Sequence, residues 1–222
     1  MRKTKTKSAP RKRAVHRLPD ILTKEEAIAL LRATSLRAPS GLRNRCGLLL
    51  MYRGGLRVSE VSNLRLQDVK LDNGAPRVLV NQGKGSKDRV VPLPGDVVDT
   101  LLLWQGRRKE FAPRSQWLFC TISKGKGQGF GEQHSLRPGG RVSESYWRDA
   151  VKRYARRAGI ERRVHPHSLR HSFATEKLRE GWDLESLRAI LGHSSVATTQ
   201  IYLHCDEARL AELQARAEPL AL

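Results

Sequence analysis

Between Arg77 and Val91 the sequence leaves the helical spacing that governs the rest of the chain. Val78-Leu79-Val80 and Arg89-Val90-Val91 are β-rich runs on either side of Gly83-Lys84-Gly85-Ser86. Such runs around a glycine-bearing loop specify an antiparallel β-hairpin. One hairpin cannot bury a chain of 222 residues, so the remaining apolar surface has to be covered by packed helices. The expected fold class is mainly α with a small antiparallel β-hairpin sheet.

The helical signals flank that hairpin. Thr23 and Glu26 have capping-box spacing before Ile28, Leu30 and Leu31, which starts a helix. A second helix is expected from about Arg43 to Met51. Gly54-Gly55 breaks it, and Val58, Val61 and Leu64 recur at helical spacing in a third that starts near Arg57. Further helices are expected from Asp96 to Lys109 and from Ser143 to Ala158, separated by a glycine-rich stretch from Ser123 to Gly140 that reads as a long loop. Four short ones close the chain, near 167–180, 183–191, 195–201 and 206–216, with Gly181 and Gly192 as punctuation. No internal repeat is visible.

Charge narrows the function. Forty-two Lys and Arg stand against 22 Asp and Glu, a formal net charge of +20, far beyond what solubility requires, so a polyanionic partner is expected. Aromatic residues are only 5%, too few for the apolar face of a membrane-surface helix, which favours nucleic acid. No apolar run approaches the roughly 18 residues of a membrane span. Residues 1–19 form the expected disordered basic arm: residues 1–17 hold eight Lys or Arg, no acid and almost nothing apolar. It is either a solvated tail or a phosphate contact. Residues 20–222 are expected to form a single domain. Cys46, Cys120 and Cys205 are odd in number, far apart and without CxxC spacing, so neither a disulfide framework nor a thiolate zinc site is indicated. With no apolar signal segment at the N-terminus, a cytoplasmic location is expected.

The chemistry gathers in the last third. His167 and Arg170 stand three apart at the start of a helix and share one face, so an imidazole and a guanidinium can address one point while Leu169 and Phe173 turn inward. Arg57 opens another helix after the glycine pair. Two arginine forks with helix N-terminal amides make a receptor for a phosphate whose oxygens gain charge. Each signal alone has a plain alternative. An arginine opening a helix is most often structural, Gly-Lys-Gly is most often a turn, and a late tyrosine such as Tyr202, nine residues after His193, is most often half-buried core. Glu60 could simply pair with Arg57 on the helix surface. His165-Pro166-His167 could suggest a metal, but only His167 has the right offset to Arg170, so no metal site is expected. His171 and His204 suit packing or helix-end hydrogen bonds.

Together, in this order, the blocks GLRVSEVSNLRLQDV from Gly55, GKGSKDRVVPL from Gly83, HPHSLRHSFAT from His165 and LGHSSVATTQIY from Leu191 resemble the tyrosine recombinase or phage integrase family, and most closely its Xer and integron branch. The resemblance extends from about Leu22 to about Ala215. It implies a site-specific recombinase in which Tyr202 attacks the scissile phosphate, giving a 3′-phosphotyrosyl link and a free 5′-hydroxyl. Arg57 and Arg170 would bind the non-bridging oxygens, and His193 would donate a further hydrogen bond. His167 would move the tyrosine proton, Lys84 would protonate the leaving 5′-oxygen, and Glu60 would orient the site. Lys87 and Arg89 are expected to contact the DNA backbone.

The residue types suit that chemistry. A phenol with a pKa near 10 needs a base and cations to attack, and the phosphotyrosyl bond conserves the energy of the one broken, so no cofactor is expected and no ATP is required. Fixed arginine donors can take the place of a metal. Expected partners are double-stranded DNA, three further copies in a homotetramer, and an accessory or partner recombinase. Only about 20 residues precede the first catalytic helix, so the helical core-binding domain of typical members is read as missing. The helix at about 206–216 is expected either to pack in cis or to exchange between subunits. Two other readings stand beside the recombinase: a non-cleaving DNA-binding accessory protein of the same descent, and a nicking-closing activity like that of a type IB topoisomerase.

Overall fold

The computed structural model describes residues 21–71, 74–81, 88–122 and 138–192. Helix α1 (Lys24–Arg32) begins as expected: the Thr23 hydroxyl accepts from the Glu26 amide and the Glu26 carboxylate accepts from the Thr23 amide. Helix α2 (Pro39–Arg53) is longer at both ends than its apolar run predicts. Pro39 opens it rather than breaking it, because the first turn has no use for the amide that proline lacks.

Almost every side chain of α2 from Leu42 to Tyr52 is buried. The helix is the hub of the fold, packed against α4 (Gly95–Arg108) and α6 (Pro166–Arg179) and also touching α1, α3 (Val58–Asn63) and α5 (Glu144–Arg157). Trp104 and Trp147 fill the centre; Phe119 meets Trp147 edge to face with centroids 5.2 Å apart. A smaller apolar cluster of Phe173, Ala174, Leu178, Leu187 and Leu191 holds α7 (Leu184–Leu191) against α6.

The sheet has one strand more than expected. Strands β2 (Arg77–Val80) and β3 (Arg89–Pro92) pair antiparallel, with Val80 opposite Arg89 and Val78 opposite Val91. A two-residue strand, β1 (Val69–Lys70), adds to the other edge of β2 through Val69 and Val78. The fold class is thus mainly α with a three-stranded antiparallel sheet. Two residues are too few to display a period of two, so β1 has no sequence signature. Leu64, expected on the third helix, lies past its end in extended backbone, and the chain then makes a 3₁₀ turn at Leu66–Asp68.

Helices α4, α5, α6 and α7 match their expected spans to within about one residue at each end. The expected basic arm, the body of the 123–140 loop, and the helices near 195–201 and 206–216 lie outside the described residues. Cys46 and Cys120 are buried free thiols, and burial pushes the Cys46 thiol well above its ordinary range. Among the described residues no helix is long and apolar enough to cross a membrane.

Candidate active site

Two left-handed glycines set the stage. Gly55, at φ 64°, turns the chain between α2 and α3 where an added Cβ would stand 2.6 Å from the Phe173 ring. That turn delivers Arg57 to the N-cap of α3. Gly192, also at φ 64°, closes α7, the conformation that glycine adopts without steric cost at a helix C-terminus.

Glu60 occupies the first turn of α3 with only 9% of its side chain exposed. Its carboxylate accepts from the Arg57 amide at 2.7 Å and from Arg57 Nη1 at 2.8 Å. It accepts twice more from Arg89, Nη1 to Oε1 and Nη2 to Oε2, each at 2.8 Å. Arg170 Nη1 lies 4.0 Å from Oε2. Burial by itself would raise the Glu60 carboxyl; the Arg89 hydrogen bonds and charge, the Arg57 amide and the Arg170 charge outweigh it and hold the group below the ordinary carboxylate range. Glu60 is therefore an anion inside the protein rather than a surface partner of Arg57.

Arg170 is 4% exposed. It donates from Nη1 to the Gly55 carbonyl at 2.5 Å and from Nη2 to the Leu191 carbonyl at 2.6 Å. Arg57 keeps 32% of its side chain in solvent and donates from Nη2 to the Gly192 carbonyl at 2.9 Å. The two arginines that sequence spacing paired thus meet at one place, where the start of α3, the first half of α6 and the end of α7 converge.

His167 is exposed near the N-terminus of α6, with its ring centroid 6.1 Å from that of His165 and 6.4 Å from that of His171. Partial desolvation, then the charges of His165, Arg170, Arg148 and Arg57, lower its pKa. A neutral imidazole at neutral pH, able to accept a proton, is the consequence. His165 has a role that spacing did not suggest: it is the N-cap of α6, and its Nδ1 accepts from the Ser168 amide at 3.2 Å.

Arg89, expected at the DNA backbone, is drawn inside the protein. Its side chain is 7% exposed; besides Glu60 it donates from Nε to the Ile190 carbonyl at 2.5 Å. All three guanidinium nitrogens are thus engaged within the protein. The alternation of buried and exposed residues along β3 was the available signal, since Arg89 and Val91 share the inward face. Lys84, Lys87, His193 and Tyr202 lie outside the described residues. Beside the cluster a cavity of about 640 Å³ is lined by Arg57, Ser59, Glu60, Asn63, Arg65 and Trp117 among others, with the Arg65 guanidinium 5.5 Å from the Trp117 ring centroid.

Comparison with known proteins places this arrangement. The model of the phage integrase family matches residues 20–209. The tyrosine recombinase XerD of Ralstonia nicotianae is 38% identical over 205 residues, 91% of this chain and 61% of the relative. The crystal structure of XerA recombinase superposes with a TM-score of 0.72 at 32% identity, covering 91% of this chain and 67% of that one. The XerH site-specific recombinase, solved in a post-cleavage complex on palindromic difH substrate, gives a TM-score of 0.72 at 30% identity over 90% of this chain and 54% of its own. The chain spans about three-fifths of the length of the curated relatives it matches. On sequence and fold alike, the chain belongs to the phage integrase family of tyrosine recombinases.

Proposed function

We propose that this chain carries the catalytic domain of a site-specific DNA recombinase, with residues 1–19 as a basic arm and residues 20–222 as one domain. The observation that carries the reading is the convergence of Arg57 and Arg170 on one buried carboxylate at the end of α7. Three guanidinium charges around a single anion leave positive charge over for a phosphate.

In this reading Tyr202 Oη attacks the scissile phosphorus while His167, held neutral, takes the phenolic proton. The P–O5′ bond breaks, and Lys84 protonates the leaving 5′-oxygen. The product is a 3′-phosphotyrosine and a free 5′-hydroxyl; attack by the 5′-hydroxyl of a partner strand reverses the step. Arg57, Arg170 and His193 stabilise the charge on the non-bridging oxygens, a role in which each fixed donor contributes about 2.7 to 4 kcal/mol. Lys87 contacts the DNA backbone. The acting unit is a homotetramer on double-stranded DNA in the cytoplasm, alone or with a partner recombinase.

Incubation with a nicked suicide duplex carrying the cognate site tests this. A covalent protein–DNA adduct is expected in the presence of EDTA, lost in Tyr202→Phe. Tight, specific binding without any adduct overturns the catalytic reading in favour of a non-cleaving DNA-binding protein.

A further inference from the structure

Three consecutive carbonyls end α7, and three different arginines take them. Arg89 Nε holds Ile190 O at 2.5 Å, Arg170 Nη2 holds Leu191 O at 2.6 Å, and Arg57 Nη2 holds Gly192 O at 2.9 Å. Carbonyls at a helix C-terminus lack intrahelical partners and carry its negative partial charge, so cations are favoured there. Here all three cations also surround Glu60. Two of them are the phosphate-binding pair of the proposed function. The third, Arg89, is buried with both Nη groups on Glu60.

We infer that Arg89 is a positioning residue for the active site: by clamping both Glu60 oxygens and the Ile190 carbonyl, it fixes the start of α3 against the end of α7. It thereby sets where Arg57 and Arg170 present their guanidiniums. This rests on the proposed function for the identity of the anion, although the clamp itself does not.

Two physical arguments support it. A planar fork makes two parallel bonds to a carboxylate and still offers Nε to a third acceptor, which the single ammonium of lysine cannot do. A carboxylate already satisfied by Arg89 also has less need of Arg170, 4.0 Å away. Without the clamp Glu60 competes with the phosphate for that arginine. Arg89 opens β3, directly after the segment that holds Lys84 and Lys87, so the clamp joins the root of the hairpin to α7.

Arg89→Lys keeps the charge and removes the fork. Single-turnover cleavage of the suicide duplex at saturating protein is expected to slow by about 10- to 100-fold, the scale of a small misplacement of reacting groups. DNA affinity and its salt dependence stay at the wild-type values. In the protein alone, hydrogen exchange at the Gly192 amide, which bonds to the Arg188 carbonyl at 2.8 Å, becomes faster relative to α2. Glu60→Gln, which keeps the shape and removes the anion, is expected to reproduce both effects and stands in should Arg89→Lys not fold. A wild-type cleavage rate overturns the inference. So does weaker binding with a salt slope flattened by about one, the mark of a lost phosphate contact. If wild type forms no adduct, the proposed function fails by itself; exchange at Gly192 still decides the clamp, and an unchanged rate there sinks it.

Discussion

Two arginine clusters lie at opposite ends of α2, one on Arg43 near its start and one around Glu60 just beyond its C-terminus, and they handle charge in different ways. Arg43, 4% exposed, donates to the Cys120 carbonyl at 2.9 Å, to Asn44 Oδ1 at 3.3 Å and to the Tyr146 hydroxyl at 2.5 Å, and lies 4.7 Å from the Tyr146 ring centroid. Asn44 Nδ2 extends the network to Tyr146 and Tyr154, each at 2.9 Å. None of the ion pairs among the described residues includes Arg43. Its charge is spread over neutral acceptors and a ring face, and the network ties α2 to α5 and to the Cys120 segment. Around Glu60, by contrast, three guanidiniums share one anion, and Arg57 reaches solvent. The first cluster is closed and serves the fold. The second retains positive charge at an opening, the condition for binding an anion.

That contrast can be broken from either side. Arg170→Ala is expected to have the largest effect, a loss of about 10²- to 10³-fold in single-turnover strand cleavage, the cost of removing one fixed donor to a developing oxyanion. Retained cleavage would mean that the Glu60 cluster is as structural as the other. Arg43→Met should act in the opposite sense. It leaves the Asn44 and Tyr146 side chains and the Cys120 carbonyl short of a donor, at about 3 kcal/mol in denaturant unfolding, while cleavage per folded molecule is unaltered.

A pH effect of intermediate size is expected from His171, which follows Arg170 on α6. Desolvation first, then the charges of His167, Arg170 and His165, push His171 down to about 4 from an ordinary 6.5. The unfolded chain therefore takes up a proton that the folded chain refuses. Stability is complete above about pH 6.5 and declines as pH falls toward about 4. His171→Gln should flatten that decline in unfolding midpoints measured across the interval; a decline of wild-type steepness would count against it. The smallest effect is expected where an arginine belongs to neither cluster. Arg107 pairs with Glu110 at 3.0 Å, both about half exposed, and Glu110→Ala should change stability by no more than about 0.5 kcal/mol.

Among the described residues, the helices and the paired arginines are legible in the sequence for identifiable reasons. The Thr23–Glu26 box, the helical recurrence in α4 and α5 and the Gly192 stop are local signals read within one or two turns. Arg57 and Arg170 were singled out because each opens or follows a helix start in a chain with a large positive excess. The burial of Arg89 is not plainly legible in the sequence, because an arginine in a strand beside a basic loop resembles a surface residue. Its partners lie 29 and 101 residues away, and no local pattern reports them. His165 was passed over for a related reason, since histidine is an uncommon N-cap and its neighbour His167 drew the chemical argument. Strand β1 and the full length of α2 depended on pairing and packing rather than on period.

By itself the sequence determined most of the described element types and the family of the chain, because hydrophobic period, caps and motif blocks are all written over short stretches. Only the tertiary structure decided which arginine is buried, which stays open, and that Glu60 is their common anion. The physical reason is distance along the chain: the bonds that assign those roles join the start of α3 to β3, α6 and the end of α7, and a buried charge takes its meaning from the partners that folding brings to it.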